Sequence, residues 1–267
     1  MLATPLSFCL LLAAGDAPKG RLVIVGGGSI PESVPRHALE LAGGPASPVL
    51  VVPQASAQPD AGRSSVETWK GAGASQVSIL DLADPTAALA SVRAARLIWM
   101  GGGDQNRLVK ALAGTGIPEA IRERYVEGAV VGGTSAGAAA ISKAMITGEA
   151  DLESVTGGAT ELVEGLGLWP EVIVDQHFLK RRRFNRLLGA VLDRPELVGV
   201  GIDEGTAVIV ASRAFVVAGR GNAVVVDARK ADPVRTKKGD PSTGVGLAVH
   251  VLADGMHYDL DRGLLPR

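Results

Sequence analysis

From Arg21 onward the chain repeats one pattern: a short apolar run, rich in β-branched residues and stopped by glycine or proline, then a stretch with helical spacing. RLVIVGGG (21–28) is the first such run, and SPVLVV (47–52), QVSILDL (76–82), RLIWMGGG (96–103) and AVVGGTSAG (129–137) follow. Strands that are apolar throughout need cover on both faces. The pattern therefore predicts an α/β fold with a mostly parallel sheet flanked by helices on both faces. The segments 31–43, 60–72, 85–95 and 105–128 supply the helices, the first with Pro31 early and Gly43 late. In the last third, LVGVGID, TAVIVAS, AFVVAG, NAVVVDA and GLAVHVLADG are short strands joined by tight turns. They read as an antiparallel extension of the same sheet, with the polar stretch 234–244 as an exposed loop.

Length and composition narrow the classes further. A chain of 267 residues suits one large domain, here residues 18–267. With only 3% aromatic residues, the core must be built from Val, Leu, Ile and Ala. Twenty-seven Lys and Arg balance 28 Asp and Glu, so no global field attracts nucleic acid or an anionic membrane. The single cysteine, Cys9, rules out a disulfide framework and a cysteine metal site. It lies in LSFCLLLAA (6–14), too short to span a bilayer. Followed by small residues, residues 1–17 read as a signal peptide or a tail. The expected address is therefore periplasmic or extracellular, with no membrane association after processing and the cytoplasm as the alternative.

Gly133-Thr134-Ser135-Ala136-Gly137 carries the chemistry. It matches G-x-S-x-G, between the apolar run AVVG and the small-residue segment AGAAAIS. A serine on such a sharp strand-to-helix turn presents its hydroxyl above the sheet, and the helix start favours developing negative charge. The chain has four histidines. His37 and His250 fall within a helix and a late strand, and His257 lies near the C-terminus. His177 ends the run EVIVDQHF, where strand ends line sites in open α/β sheets, and is the candidate general base. Asp203 and Glu204, after the run LVGVGI, are both candidates to orient the imidazole, and spacing does not choose between them. The amide of Ala136, with that of Gly102 or Gly103, would supply oxyanion donors.

Neither glycine run reads as a dinucleotide loop. Pro31 and Asn106 stand where the last glycine of each G-x-G-x-x-G would fall, and no cofactor or metal is expected. Lys180-Arg181-Arg182-Arg183 and Arg186 follow the presumed base closely. Arginine there suits bidentate binding of a carboxylate.

GGGDQNRL (101–108), GGTSAGA (132–138), DQHFLKRRRFNRL (175–187) and GIDEGTA (201–207) resemble the signature blocks of the cyanophycinases, in the serine peptidase family that also contains aspartyl dipeptidase. The resemblance runs from about Arg21 to about Ala228; Lys180 and Arg182 add charge beyond the family pattern. It implies a flavodoxin-like or class I glutamine-amidotransferase-like fold and a triad of Ser135, His177 and Glu204, which resolves the choice of carboxylate. It implies a pocket of Gln105, Asp175, Gln176, Arg181, Arg183 and Arg186. It also implies hydrolysis of cyanophycin, multi-L-arginyl-poly-L-aspartate, to β-Asp-Arg through an acyl-enzyme, and is compatible with a homodimer. The alternatives are a peptidase for other aspartyl or isoaspartyl dipeptides, and a non-catalytic peptide-binding protein on the same fold.

Overall fold

A computed structural model describes residues 18–148 and 153–265. The apolar stretch read as an export signal lies outside them. The first half alternates as the pattern predicts. β1 (Arg21–Val25), α1 (Ser33–Leu41), β2 (Val49–Val52), α2 (Arg63–Gly71), β3 (Val77–Ile79), α3 (Pro85–Ala94), β4 (Leu97–Met100), α4 (Gln105–Leu112), α5 (Ile117–Glu127) and β5 (Val130–Thr134) follow one another. The five strands stand side by side in the order β1-β5-β4-β2-β3, every pair parallel. Their side chains divide with a period of two. Leu22, Ile24, Leu50, Val52, Ile98 and Met100 face α3 and α5. Val23, Val25, Val49, Val51, Leu97 and Trp99 face α1 and α2. Side-chain caps start two of the helices: Asp84 accepts from the amides of Thr86 and Ala87, and Asp104 from those of Asn106 and Arg107.

The second half departs from expectation. It contains α6 (Ala136–Ala139), β6 (Ala144–Ile146), β7 (Leu162–Glu164), β8 (Val172–Gln176), α7 (Phe184–Asp193), β9 (Val198–Ile202), β10 (Thr206–Ala211), β11 (Ala214–Gly219), β12 (Ala223–Asp227), β13 (Val234–Arg235), β14 (Thr243–Gly244), β15 (Ala248–Leu252), β16 (His257–Asp259) and β17 (Gly263–Leu265). β10, β11, β16 and β17 do extend the main sheet, antiparallel, beyond β1. The main sheet is therefore mixed rather than mostly parallel: five parallel strands and four antiparallel ones.

β9, β12 and β15 leave it. They join β8 in a second, four-stranded sheet of order β15-β12-β9-β8. The reason is burial on both faces. Val198, Val200 and Ile202 of β9 enter the main core, while Ile173, Val224 and Val226 pack under Leu187, Ala190 and Val191 of α7. Glycines on the second face of β9 make room. A Cβ on Gly199 would lie 2.7 Å from Val191, and one on Gly201 would lie 2.4 Å from the Phe178 ring. The stretch 234–244 contains the short β13–β14 ladder and is mostly exposed, as expected. No helix among the described residues is long and apolar enough to cross a membrane.

Candidate active site

The C-terminal ends of strands from both sheets meet at one place. Ser135 follows β5 with φ 54° and ψ −113°, a conformation that costs a non-glycine residue about 1–3 kcal/mol. Its surroundings hold it there. The Ser135 amide donates to the Val25 carbonyl at 3.1 Å, and its own carbonyl accepts from Ala138 and Ala139 at 3.0 Å. Both flanking glycines are required sterically: a Cβ on Gly133 would stand 2.6 Å from the Gly137 carbonyl carbon, and one on Gly137 would stand 2.3 Å from the Met100 carbonyl oxygen.

His177 follows β8 and is also bent, with φ 49°. Its amide donates to the Gly26 carbonyl at 2.6 Å, which ties the second sheet to the end of β1. The imidazole lies over Gly27, where a Cβ would come within 2.3 Å of the ring. Nδ1 pairs with Glu204 Oε1 at 2.6 Å and Nε2 with Ser135 Oγ at 3.0 Å. A carboxylate can only accept, so Nδ1 carries the proton and Nε2 is left to accept from the hydroxyl. The hydrogen bond from His177 holds the Glu204 carboxyl below the usual carboxylate range. Partial desolvation opposes that bond, and the charges of Lys180 and Arg181 reinforce it.

The adjacent Asp203 turns away and accepts the Lys180 amide at 3.0 Å. The other histidines stay outside the site. His37 pairs with Glu40 on α1, His250 packs on Tyr258, and His257 is exposed on β16.

Of the expected oxyanion donors, Ala136 is the first residue of α6, where an amide has no intrahelical acceptor. Gly102 lies beside the hydroxyl: a Cβ there would stand 3.5 Å from Ser135 Cβ and 3.9 Å from Oγ. Gly103, with φ 138°, is instead pressed against the Ala55 carbonyl, 2.3 Å from where its Cβ would be. Among the described residues no cluster of three His, Cys, Asp or Glu side chains is placed to hold a metal ion.

The expected pocket residues are largely bound to one another. Asp175 and Arg186 are each 1% exposed at the side chain. They form a two-bonded pair, Nε to Oδ2 at 3.0 Å and Nη2 to Oδ1. Arg186 Nη1 also donates to the Gly148 carbonyl at 2.8 Å, and Gln105 Nε2 to the Ile146 carbonyl at 3.1 Å. Arg183 Nη1 donates to the Gln176 carbonyl at 2.7 Å and lies 3.8 Å from Asp175. Gln176 is buried, and its Oε1 has no hydrogen-bond partner among the described residues. Arg181 is exposed, its amide donating to the His177 carbonyl at 2.9 Å.

Residues 22–217 match the model of Peptidase family S51. The chain belongs to that family. Membership makes it a serine-type peptidase, a hydrolase. The chain is 37% identical over 230 residues to a cyanophycinase from Synechococcus elongatus, covering 82% of this chain and 71% of that one. It is 32% identical over 266 residues to a cyanophycinase from Trichormus variabilis, covering 94% and 89%. A crystal structure of a peptidase from an acI-B1 actinobacterium superposes with a TM-score of 0.60 at 23% identity, over 89% of this chain and 98% of that one. This last similarity is one of fold.

Within this S51 fold Gly26–Gly28, whose role is not evident from the sequence pattern, form the wall against which the histidine and the glutamate rest. A Cβ on Gly28 would come within 3.0 Å of Glu204 Cβ, and the Gly27 carbonyl accepts the Gly205 amide at 3.0 Å. The signal was present as three consecutive glycines ending the first strand. Its meaning depends on β1 lying next to β5, which is a fact of topology.

Proposed function

We propose that the protein is a serine exopeptidase that hydrolyses cyanophycin to β-Asp-Arg dipeptides, with Ser135, His177 and Glu204 as its triad. The observation that carries the substrate class is the 37% identity to cyanophycinase across most of the chain.

Ser135 Oγ attacks the scissile carbonyl while His177 Nε2 takes its proton. Glu204 keeps the proton on Nδ1 and offsets the positive charge of the imidazolium. The amides of Ala136 and Gly102 face the oxygen as its charge develops, each such donor being worth about 3–4 kcal/mol in the transition state. The imidazolium returns its proton to the leaving amine and the C–N bond breaks. Water, deprotonated by His177, then attacks the acyl-enzyme and restores the serine. Arg181, Arg183 and Arg186 with Gln105, Asp175 and Gln176 form the pocket wall. Arg181, the exposed member, is free to reach a substrate carboxylate, while the buried pair shapes the wall.

Residues 6–14 direct export, which N-terminal sequencing of the secreted protein would check, and the active form is a homodimer. Incubation with insoluble cyanophycin tests the main reading by mass spectrometry. Release of β-Asp-Arg supports it. Cleavage of short aspartyl dipeptides with the polymer left intact contradicts it.

A further inference from the structure

On the other side of Ser135 from His177, a cleft opens next to Gly102. It has a volume of about 350 Å³, and its walls include Ser56, Asp60, Arg63, Glu67, Gly101 and Gly102. Gly102 lies beside the Ser135 hydroxyl, so the cleft adjoins the proposed nucleophile. Strand order fixes its direction. β5, which carries Ser135 at its end, has β1 on one side and β4 then β2 on the other. His177 stands over the glycines that end β1. The cleft lies beyond the ends of β4 and β2. A chain that crosses Ser135 in line with both would have one unit on the His177 side and the next in this cleft.

The charges in the cleft are uncommitted. Asp60, Arg63 and Glu67 are exposed, and among the described residues their side chains make no ion pair or hydrogen bond. Arg122, Arg124, Arg194, Arg213 and Arg229 elsewhere each hold a carboxylate. Asp60 and Arg63 are three residues apart and still do not pair. The same wall thus presents two carboxylates and a guanidinium in the cleft that Gly102 also lines. The start of α2, which has no side-chain cap, lines it as well.

We propose that this cleft is a second substrate subsite, which binds the neighbouring unit of the polymer through the two charges of its arginine branch. Asp60 and Glu67 take the guanidinium, and Arg63 takes the branch carboxylate. The inference rests on the cyanophycin reading above, because that polymer carries both charges on every unit.

The test uses the full chain and a synthetic β-Asp-Arg dimer, alongside two analogues in which one or the other arginine is replaced by neutral citrulline. The variants are Arg63→Glu and the double variant Asp60→Asn, Glu67→Gln, with melting temperature as the check on folding. The subsite predicts that each raises KM for the dimer by about 5-fold. The penalty of the double variant should disappear on one citrulline analogue and persist on the other. An unchanged KM, or a penalty equal on both analogues, overturns the subsite while cyanophycin hydrolysis stands. A wild-type protein inert towards both dimer and polymer overturns both.

Discussion

His177 and Glu204 pair at the meeting of the two sheets, with the glutamate side chain 35% exposed. Asp175 and Arg186 pair within hydrogen-bonding reach of the same strand end with 1% exposure each. The residue types are similar and the surroundings are not. The first pair turns one imidazole nitrogen to the Ser135 hydroxyl, the geometry that the proposed proton transfer requires. The second is closed in by the Gly148 carbonyl and by Arg183. Its charges answer each other, and the two bonds tie the end of β8 to α7. A buried pair of this kind contributes little net stability when intact but costs much when half removed. Chemistry and scaffold are therefore adjacent in sequence and separated by solvent access.

Glu204→Gln should break the first pair as a reactive device. The amide would leave His177 in the wrong tautomer, and kcat should fall on the order of 10⁴-fold in a dipeptide-release assay. The same substitution sharpens the pH behaviour. The carboxyl is held below its usual range in the folded protein, so the stability it contributes is present at neutral pH. That contribution is lost as pH falls through the depressed value. Urea unfolding across the acid range should show a smaller loss in the Gln variant than in the wild type.

Arg186→Met should break the second pair as scaffold. It leaves Asp175 charged and buried, and should destabilise the protein by about 3–5 kcal/mol in urea unfolding. If Arg186 instead served only to bind substrate, KM would rise with stability unchanged. Gly27→Ala tests the wall between the two sheets. With φ 108° and the imidazole 2.3 Å from the new methyl, His177 must shift, and kcat should fall roughly 10²-fold. Asp203→Ala has the smallest effect. It removes an acceptor for one turn amide, should cost about 1 kcal/mol, and should leave kcat within a few-fold of wild type.

The parallel half of the main sheet was legible because each of its runs ends in glycine or proline and is followed by a helix. The split of the late strands was not. β10 and β12 have the same short apolar character, and only the glycines of β9 meeting α7 and Phe178 reveal that a second sheet forms. Ser135 was legible from its two glycines, whose close approaches to backbone explain them. Asp203 and Glu204 were equivalent by spacing, and they are separated by the direction each side chain leaves one turn. The arginine block read as charge facing a ligand, yet the fold buries two of its members around Asp175. Hydropathy has no means of foreseeing that, because the partner is brought in by β8 and α7 packing face to face.

The central claim is that Ser135 is the nucleophile. Intact-protein mass spectrometry of the wild type and of Ser135→Ala, during turnover of cyanophycin quenched in acid, tests it most directly. The account predicts a covalent acyl adduct mapping to Ser135 in the wild type. In the variant it predicts no adduct and a loss of dipeptide release of roughly 10⁴-fold or more. Release of β-Asp-Arg by Ser135→Ala at the wild-type rate would contradict it.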